Sequence, residues 1–347
     1  ETDREENLSL HRRAEKEERE GAVSERTMKD LWNTPLLRKD YLKIQEVIAE
    51  AVEDSNKVIR EPLRDLVAAR GKMLRPMFVV LAAKFGKGGS KKVYSVAAAI
   101  ELLHLATLIH DDVIDDSPIR RGRPTIHTKV GKKQAILIGD YLFSQCFSLV
   151  AQYATIANSK LLARAVSHIC SSEISQAEDS FSFATSVRRY NRRIAGKTAA
   201  LFTLSCYIGA SEAGCKKTLC NRMSRIGYNL GMGFQIIDDI LDYTGSKSEL
   251  GKPVGSDLKE GIATLPLIYA LRNDDGTLKN TLTERPVSEQ EIGRIISSVA
   301  DRGGIRSAEE AAATYTHRAL AEIDQLPPGQ NTDFLSETVS RLLHRTA

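Results

Sequence analysis

Apolar residues recur at helical spacing along most of the chain, beginning near residue 31. The segment 41–59 has its apolar side chains on one face of a helix, and they are Leu42, Ile44, Val47, Ile48, Ala51 and Val52. The segment 93–112 is apolar around most of its circumference, which is typical of a buried central helix. The same interpretation applies to 135–157, 161–180, 199–214, 223–245 and 263–273. We therefore predict one all-α domain of about a dozen helices.

The first 30 residues differ from the rest. Of the first 20 residues, 13 are charged, which is the opposite of the apolar core of a secretory signal. Such a segment buries too little apolar surface to fold, so we predict disorder or a solvated helix over 1–30. The domain is expected to span 31–347. Short Gly, Pro, Ser or Asn clusters separate its helices, and no internal repeat is seen.

Composition limits the cellular setting and the partners. A formal net charge of +4 over 347 residues, with acids and bases interspersed, gives little support for nucleic acid as a partner. Five cysteines form no CxxC pair and favour free thiols in a reducing compartment. We expect a cytoplasmic protein, with a mitochondrion or another organelle as the alternative if a targeting segment has been removed. No apolar run of about 18 residues without a charge is present, so no membrane span is expected.

Two acidic clusters of the form DDxxD follow apolar helical stretches. The first and last carboxylates of each cluster are four residues apart, so they share one helix face. Like charges this close repel each other unless a cation compensates, and carboxylate oxygens with room for water suit Mg²⁺. The sequence thus predicts a magnesium site made by Asp111, Asp112, Asp115, Asp238, Asp239 and Asp242.

A single DDxxD is more often a solvated helix end than a metal site, but two copies make that reading much weaker. An EF-hand is excluded by the spacing of the acids. His104 lies seven residues before Asp111, nearly on the same helix face. A buried core histidine is the default for such a residue, and its position near the predicted site favours contact with a ligand.

Basic residues supply the complement of the acidic clusters. Lys and Arg could hold one diphosphate directly, while a second is held through Mg²⁺. Each basic pair alone is weak evidence, because most such pairs are surface charges. The candidates are Lys72, Arg75, Arg120, Arg121, Lys197 with Thr198, and Lys252.

Together these motifs resemble the trans-type isoprenyl diphosphate synthases, over roughly residues 35–345. The segments GKMLRP, DDVIDDSPIRRG, GDYLF, KTA, FQIIDDILD and GKPVGSDLKEGIATLPL occur in that family's order and spacing. The chain is most similar to the medium- and long-chain members, such as heptaprenyl and solanesyl synthases of quinone biosynthesis. The resemblance implies a helical bundle around a deep central cavity, and a homodimer, with a small accessory subunit as an open alternative.

The resemblance also implies roles by position. Asp111, Asp115 and Asp238 would hold about three Mg²⁺ ions on the allylic diphosphate, with Asp112, Asp239 and Asp242 in support. The same diphosphate would contact Arg120, Lys197, Thr198, Gln235 and Lys252. Isopentenyl diphosphate would bind to Lys72, Arg75, His104 and Arg121. Of these, Asp111, Asp115, Lys197 and Asp238 are the expected catalytic residues.

The implied reaction is head-to-tail prenyl transfer. Cations stabilise the departing diphosphate, the double bond of isopentenyl diphosphate attacks the allylic carbocation, and a proton is lost. Two positions depart from the family pattern: Arg70 stands where Gly is common, and Ile262 stands where short-chain members have Lys. The second departure favours the long-chain reading.

Product length would depend on the wall of the cavity before Asp111. Short-chain relatives commonly place a bulky aromatic residue five positions before the first Asp, whereas this chain has Ala106 followed by Thr107. Small side chains there predict an open tunnel and a product of about six to ten isoprene units. They could instead serve only to let two helices pack closely. Leu103, Phe143, Phe147 and Leu149 are candidates for a deeper stop.

Four other readings stay open at this point. A shorter-chain farnesyl or geranylgeranyl synthase would share the motifs. A terpene cyclase would share the fold, but its second metal motif tends to mix Asn, Ser and Glu. A regulatory subunit would have degraded motifs, and here both acidic clusters are intact. A helical scaffold without chemistry would gain nothing from two facing acidic clusters.

Overall fold

The computed structural model describes residues 28–53, 57–68, 71–120, 122–178, 180–183, 185–245, 254–282 and 288–343. The predictions made for residues 1–27, for Arg121 and for Lys252 concern positions outside the described residues.

The described residues form seventeen α-helices, one π-helical turn and one short hairpin. The helices are α1 Met28–Trp32, α2 Arg38–Glu53, α3 Lys57–Ala68, α4 Leu74–Ala83, α5 Lys91–Ile114, α6 Ile126–Val130, α7 Lys132–Tyr153, α8 Ile156–Glu178, α9 Val187–Ile194, α10 Ala200–Glu212, α11 Lys217–Thr244, α12 Ser256–Lys259, α13 Leu265–Arg272, α14 Thr277–Thr281, α15 Glu289–Asp301, α16 Gly304–Ile323 and α17 Gln330–Leu343. The π turn is Ala195–Ala199, and the hairpin pairs β1 Ile119–Arg120 with β2 Arg123–Pro124. The prediction of an all-α fold is confirmed.

Helix α5 runs through the centre of the bundle, as its uniformly apolar sequence predicts. It packs against α7, α4 and α2. Ser90 begins the helix by accepting a hydrogen bond from the backbone N–H of Val93, which satisfies one of the donors that a helix start leaves without an intrahelical partner. Since most of its side chains are buried, the helix is held firmly up to the acidic residues at its C-terminal end.

Helices α7 and α8 are less buried than their sequences suggest. In α7 the side chains of Leu137 and Phe147 are 55% and 44% exposed, and Ile136 is also exposed. In α8 Ile174 is 63% exposed. The expectation that these two helices resemble the central one is therefore wrong. Apolar content alone could not reveal it, because a face left open to solvent and a face turned to the core have the same composition.

Two described helices, α5 and α7, are long and apolar enough to cross a bilayer. The sequence predicts no such helix, because each of these helices contains charged residues within its apolar stretch. Two thirds of the apolar window of α5 is buried inside the bundle, against one third in α7. Length and composition are weak evidence here, since the core helix of a globular bundle passes the same test.

Helix α11 approaches the π turn and α10 closely, and glycines make this possible. A side chain at Gly231 would place a Cβ 2.5 Å from Cα of Ala199. One helical turn earlier, a Cβ at Gly227 would lie 2.5 Å from the carbonyl oxygen of Phe202. Because neither contact is tolerable, this crossing requires glycine at both positions. The crossing holds the segment around Lys197 against the helix that carries the second acidic cluster.

Candidate active site

The first acidic cluster lies where α5 ends. Asp111 and Asp112 are in its last turn, and Asp115 follows directly in a helical conformation. The backbone N–H of Asp115 donates a hydrogen bond to the carbonyl oxygen of Asp111 at 2.8 Å. Asp111 and Asp115 are thus one turn apart, as the spacing predicts. Asp111 is half-buried and Asp115 is exposed, so the pair borders solvent.

Asp112 has a different environment from its two neighbours. It is buried, and its Oδ1 accepts a hydrogen bond at 2.6 Å from Nε of Arg120, which comes from strand β1 of the short hairpin. Burial raises the pKa of Asp112 despite the opposing charge of Arg120. Arg120 was predicted to contact a diphosphate, and here it is placed beside the first cluster by this ion pair.

Lys197 projects from the π turn that interrupts the helix formed by α9 and α10. Its Nζ lies 3.0 Å from Oε2 of Glu173 on α8. The two segments come this close because residue 196 is glycine: a Cβ there would overlap Oγ of Ser172, the residue before Glu173. Burial alone would lower the pKa of Lys197, but the charges of Glu173 and Asp111 outweigh it and the pKa is raised. Lys197 is therefore a fixed cation beside Asp111.

Asp111 has the most informative ionisation in the first cluster. Burial raises its pKa from an ordinary 3.8 to about 6. The charge of Lys197 lowers it, while the charges of Glu173 and Asp115 raise it. A carboxylate held in a partly buried site with further acids nearby is stabilised by an added cation. The chemistry of this donor set therefore suits a divalent metal ion.

The second acidic cluster lies inside α11, near its C-terminal end. Asp238 is half-buried, whereas Asp239 and Asp242 are buried. Asp239 accepts two hydrogen bonds, from the hydroxyl of Tyr190 to Oδ2 at 2.6 Å and from Nε2 of Gln235 to Oδ1 at 2.8 Å. Burial, and then the charge of Asp257, raise the pKa of Asp239 above its ordinary value.

Asp242 is fully buried and accepts hydrogen bonds from the start of α12. Its Oδ2 accepts a hydrogen bond at 3.0 Å from the backbone N–H of Asp257, and its carbonyl oxygen accepts one at 2.8 Å from the N–H of Gly255. The predicted metal-binding roles of Asp239 and Asp242 remain predictions. Of the three acids in this cluster, Asp238 is the most accessible.

A short hydrogen-bond chain links the two halves of the site. Oγ1 of Thr198 donates to Oε1 of Gln235 at 2.5 Å, and Gln235 in turn donates to Asp239. Thr198 is adjacent to Lys197, which faces the first cluster. The structure thus brings together Lys197, Thr198 and Gln235, as predicted, and connects both acidic clusters through them.

Three of the four residues predicted to bind a second diphosphate are described: Lys72 just before α4, Arg75 on α4 and His104 on α5. Helices α4 and α5 pack against each other. Lys72 is exposed just before α4, and its carbonyl oxygen accepts a hydrogen bond from Nε1 of Trp32 at 3.2 Å. The guanidinium of Arg75 lies over the ring of Phe202, 5.0 Å from its centroid. His104 is half-buried on α5. The backbone directly after Lys72 is constrained, because the next residue, Met73, has a φ of 45° in the left-handed region.

The two predicted chain-length residues lie on α5 before the first cluster. Ala106 is fully buried. Thr107 is half-buried, and its hydroxyl donates to the carbonyl oxygen of His104 at 2.8 Å. Leu103 is also fully buried, while the exposed Phe147 lies at the surface of the chain and is a poor candidate for an internal stop. The deep cavity itself stays a prediction.

Three residues of the site were missed by sequence reasoning: Glu173, Tyr190 and Asp257. Glu173 and Tyr190 belong to helices that carry no acidic motif, so only the fold could place them beside Lys197 and Asp239. Conversely, a residue near the first cluster in sequence does not join it: Asp116 pairs with Lys132 at 2.9 Å at the surface. Proximity in sequence was therefore not a sufficient signal.

The carboxylates fit Mg²⁺ in one particular way. Among the described residues no three His, Cys, Asp or Glu side chains already converge on a common point. Mg²⁺ commonly takes only one or two protein carboxylates and completes its shell with water and substrate phosphates. Asp111 and Asp115 on one side and Asp238 on the other offer such partial ligation.

Comparison with known proteins agrees with this geometry. The family model "Polyprenyl synthetase" matches residues 56–299. Heptaprenyl diphosphate synthase component 2 of Geobacillus stearothermophilus is 37% identical over 87% of this chain and 94% of its own length. The chloroplastic solanesyl-diphosphate synthase 2 of Oryza sativa subsp. japonica is 36% identical over 88% and 77%.

A crystal structure of polyprenyl synthase from Caulobacter crescentus, complexed with calcium and isoprenyl diphosphate, superposes with a TM-score of 0.87. It is 31% identical and covers 92% of this chain and 98% of its own. The family-model match and these extended similarities confirm the resemblance drawn from the motifs. The chain belongs to the polyprenyl synthetase family of prenyltransferases.

Proposed function

We propose that this protein condenses isopentenyl diphosphate with an allylic diphosphate, head to tail, to make an all-trans polyprenyl diphosphate of about C30–C50. The observation that carries the proposal is the arrangement around Lys197. This half-buried cation lies beside Asp111, and its neighbour Thr198 is hydrogen-bonded towards the second acidic cluster. Acids for a metal ion and a cation for a departing diphosphate thus meet at one place.

The reaction needs stabilisation of negative charge on the leaving diphosphate. About three Mg²⁺ ions, held by Asp111, Asp115 and Asp238, would neutralise that diphosphate as the allylic C–O bond breaks. Lys197 and Thr198 would hold its oxygen atoms, with Arg120, Gln235 and Lys252 as the remaining predicted contacts. The described residues that would orient the leaving group therefore come from α5, β1, the π turn and α11.

The second substrate would bind at the basic end of α4. Lys72, Arg75, His104 and Arg121 would hold isopentenyl diphosphate so that its double bond faces the allylic carbon. The contact of the Arg75 guanidinium with the ring of Phe202, which restrains this side chain, supports the proposed role. Attack on the allylic carbocation forms the new C–C bond, and loss of a proton, taken up by the released diphosphate, restores a double bond. Exclusion of water protects the carbocation during this step.

Product length is proposed from two observations. Ala106, five positions before Asp111, is small and fully buried, and named relatives include heptaprenyl and solanesyl synthases. A product in this range would suit a quinone side chain. A geranylgeranyl-type product is the alternative outcome. We also propose a cytoplasmic location.

Two assembly states are compatible with the proposal. One relative bears the name component 2, which favours a second subunit of another kind. The exposed apolar side chains Ile136, Leu137 and Phe147 on α7 would instead suit a homodimer. Activity of the purified chain alone would remove the need for a different partner.

A product ladder tests the function. Purified chain is incubated with Mg²⁺, labelled isopentenyl diphosphate and farnesyl diphosphate, and the dephosphorylated products are sized by chromatography. We expect products of about C30–C50, as the resemblance implies, and none when EDTA replaces Mg²⁺. No elongation by a folded chain that binds both substrates would contradict a self-sufficient synthase and direct the search to a partner subunit.

The role of Ala106 is tested on the same ladder. Ala106→Tyr places a large ring at a fully buried position and is expected to shorten the product without abolishing the first condensation. Thr107→Val, which keeps the size of the side chain, is the matched control and should leave the ladder unchanged. An unaltered ladder in Ala106→Tyr would show that Ala106 serves helix packing only.

A further inference from the structure

Tyr190 is a buried titratable residue that the reaction described above does not use. Its side chain is 1% exposed and lies on α9, outside both acidic clusters. Its hydroxyl donates to Oδ2 of Asp239 at 2.6 Å. Burial, followed by the nearby charge of Asp239, raises the pKa of Tyr190 above its ordinary value, so the phenol stays protonated and remains a donor.

The ring of Tyr190 is itself held in place. The guanidinium of Arg193 lies over it at 5.4 Å from the centroid, and Nη2 of the same residue donates to the carbonyl oxygen of Ala263 at 2.7 Å. This contact ties α9 to the segment before α13. Tyr190 therefore offers its hydroxyl to α11 from a fixed position.

The other oxygen of Asp239 is also engaged, by Gln235 on the preceding turn of the same helix. Both carboxylate oxygens of Asp239 are thus directed at protein donors inside the bundle. Successive residues of an α-helix point about 100° apart, so fixing Asp239 inward also fixes the direction of Asp238. Asp238 is the half-buried acid of the cluster, and the one expected to meet metal and diphosphate.

We propose that Tyr190 is a positioning residue of the active site: through Asp239, which serves as an anchor and not as a metal ligand, it sets the orientation in which α11 presents Asp238. The proposal deepens the proposed function and rests on it. It separates the three acids of the second cluster by task. Asp238 meets the metal, Asp239 holds the helix rotation, and Asp242 holds the start of α12 through Asp257.

Tyr190→Phe tests this with the smallest possible change, because it removes one hydroxyl and keeps the buried ring and its contact with Arg193. The matched control is Tyr243→Phe. Tyr243 is also a buried tyrosine, on α11 itself, but its hydroxyl accepts a hydrogen bond from a neutral partner, Oγ1 of Thr264, at 3.2 Å.

The first readout is binding, measured by calorimetry as Mg²⁺ titrated in the presence of inorganic diphosphate. Loss of a group that orients a metal ligand typically costs about 10- to 100-fold in metal affinity or activity. We expect a loss of this size in Tyr190→Phe, with kcat reduced similarly and the KM for isopentenyl diphosphate unchanged. Tyr243→Phe should keep the wild-type affinity. A purely structural Tyr190 would lower the melting temperature and leave Mg²⁺ affinity unchanged, which would overturn the proposal.

Asp239→Asn examines the same contact from the other side, and it covers the case that Tyr190→Phe does not fold. Asn keeps an oxygen that can accept from Tyr190. If Asp239 is an anchor, Asp239→Asn should lose no more Mg²⁺ affinity than Tyr190→Phe does. The double variant should lose no more affinity than the worse of the two single variants. If Asp239→Asn loses about 100-fold more Mg²⁺ affinity than Tyr190→Phe, Asp239 is a metal ligand and the proposal is overturned.

The binding measurement also separates this proposal from the proposed function. If the wild-type chain binds Mg²⁺ with diphosphate but elongates no prenyl substrate, the proposed function fails. The comparison of Tyr190→Phe with Tyr243→Phe can still be read in that case, because its probe is inorganic diphosphate.

Discussion

The two acidic clusters have the same spacing but opposite surroundings. Around the first, the partners are charged: Lys197 and Glu173 beside Asp111, and Arg120 beside Asp112. Around the second, the hydrogen-bond partners are neutral donors, namely a phenol, a side-chain amide and a backbone N–H. The first cluster borders solvent at Asp115, whereas the second is buried apart from Asp238.

This difference suggests a division of labour. A cluster beside charged groups at the edge of solvent can exchange partners when a metal ion arrives. A cluster whose carboxylates are buried against fixed neutral donors gains rigidity and has little freedom to rearrange. One DDxxD would then mainly bind ions, while the other would mainly hold one carboxylate and the start of α12 in place.

The largest effect is expected for the ion-binding acids. Asp111→Asn and Asp238→Asn should each lower turnover on the order of 10³-fold or more, because each removes charge that stabilises the departing diphosphate through the metal. The measurement is incorporation of labelled isopentenyl diphosphate under saturating substrates.

Asp116→Asn is the control for that prediction. Asp116 is adjacent to the first cluster, but it is exposed and paired with Lys132. It should therefore retain turnover close to the wild type. Equal losses in Asp111→Asn and Asp116→Asn would show that the whole acidic run acts only as a charged surface.

A smaller loss is expected when the fixed cation is removed. Lys197→Met keeps the length of the side chain and should reduce kcat by about 10²–10³-fold, the usual cost of removing one donor from a developing negative charge. Lys129→Met is the matched control, because Lys129 also pairs with an acid, Asp65 at 2.9 Å, but at the surface. Lys197→Met with wild-type kcat would remove Lys197 from the proposed chemistry.

The sequence predicted the first cluster better than the second. The position of Asp111 and Asp115 on one turn follows from helical spacing alone, as does burial of the central helix. The separate task suggested for Asp239 depends on Tyr190, which lies 49 residues away in the chain. Similarly, the half-open face of α7 depends on which neighbours the fold provides. Local spacing specifies a helix face, but only the packed bundle specifies what that face meets.

Stability should respond in the opposite way in the two clusters. Asp242→Ala removes a fully buried acceptor from the N–H of Asp257 and should lower the free energy of unfolding by about 1–3 kcal/mol. Asp111→Ala relieves repulsion from Glu173 and Asp115 and should not destabilise the metal-free chain. Urea unfolding in EDTA measures both. Equal destabilisation by the two variants would refute the division of labour.

The smallest effect concerns the pH dependence of the metal-free protein. Burial raises the pKa of Asp111 from an ordinary 3.8 to about 6, so the folded state binds this proton more tightly than the unfolded state. The contribution to stability is complete below the unfolded pKa and is lost as pH rises through the folded pKa. Between about pH 4 and 6 the free energy of unfolding should therefore fall by about 1–3 kcal/mol because of this residue.

Asp111→Asn isolates that contribution, because the amide does not titrate and the other buried acids remain. Asp112 and Asp239 also have raised pKa values and make wild-type stability fall in the same direction, so only the difference between the two proteins is informative. Urea unfolding in EDTA from pH 4 to 7 should give curves that diverge, with the variant more stable at pH 7. Parallel curves would mean that burial does not penalise the charged form of Asp111. The exposure of its acids would then be the difference that remains between the first cluster and the second.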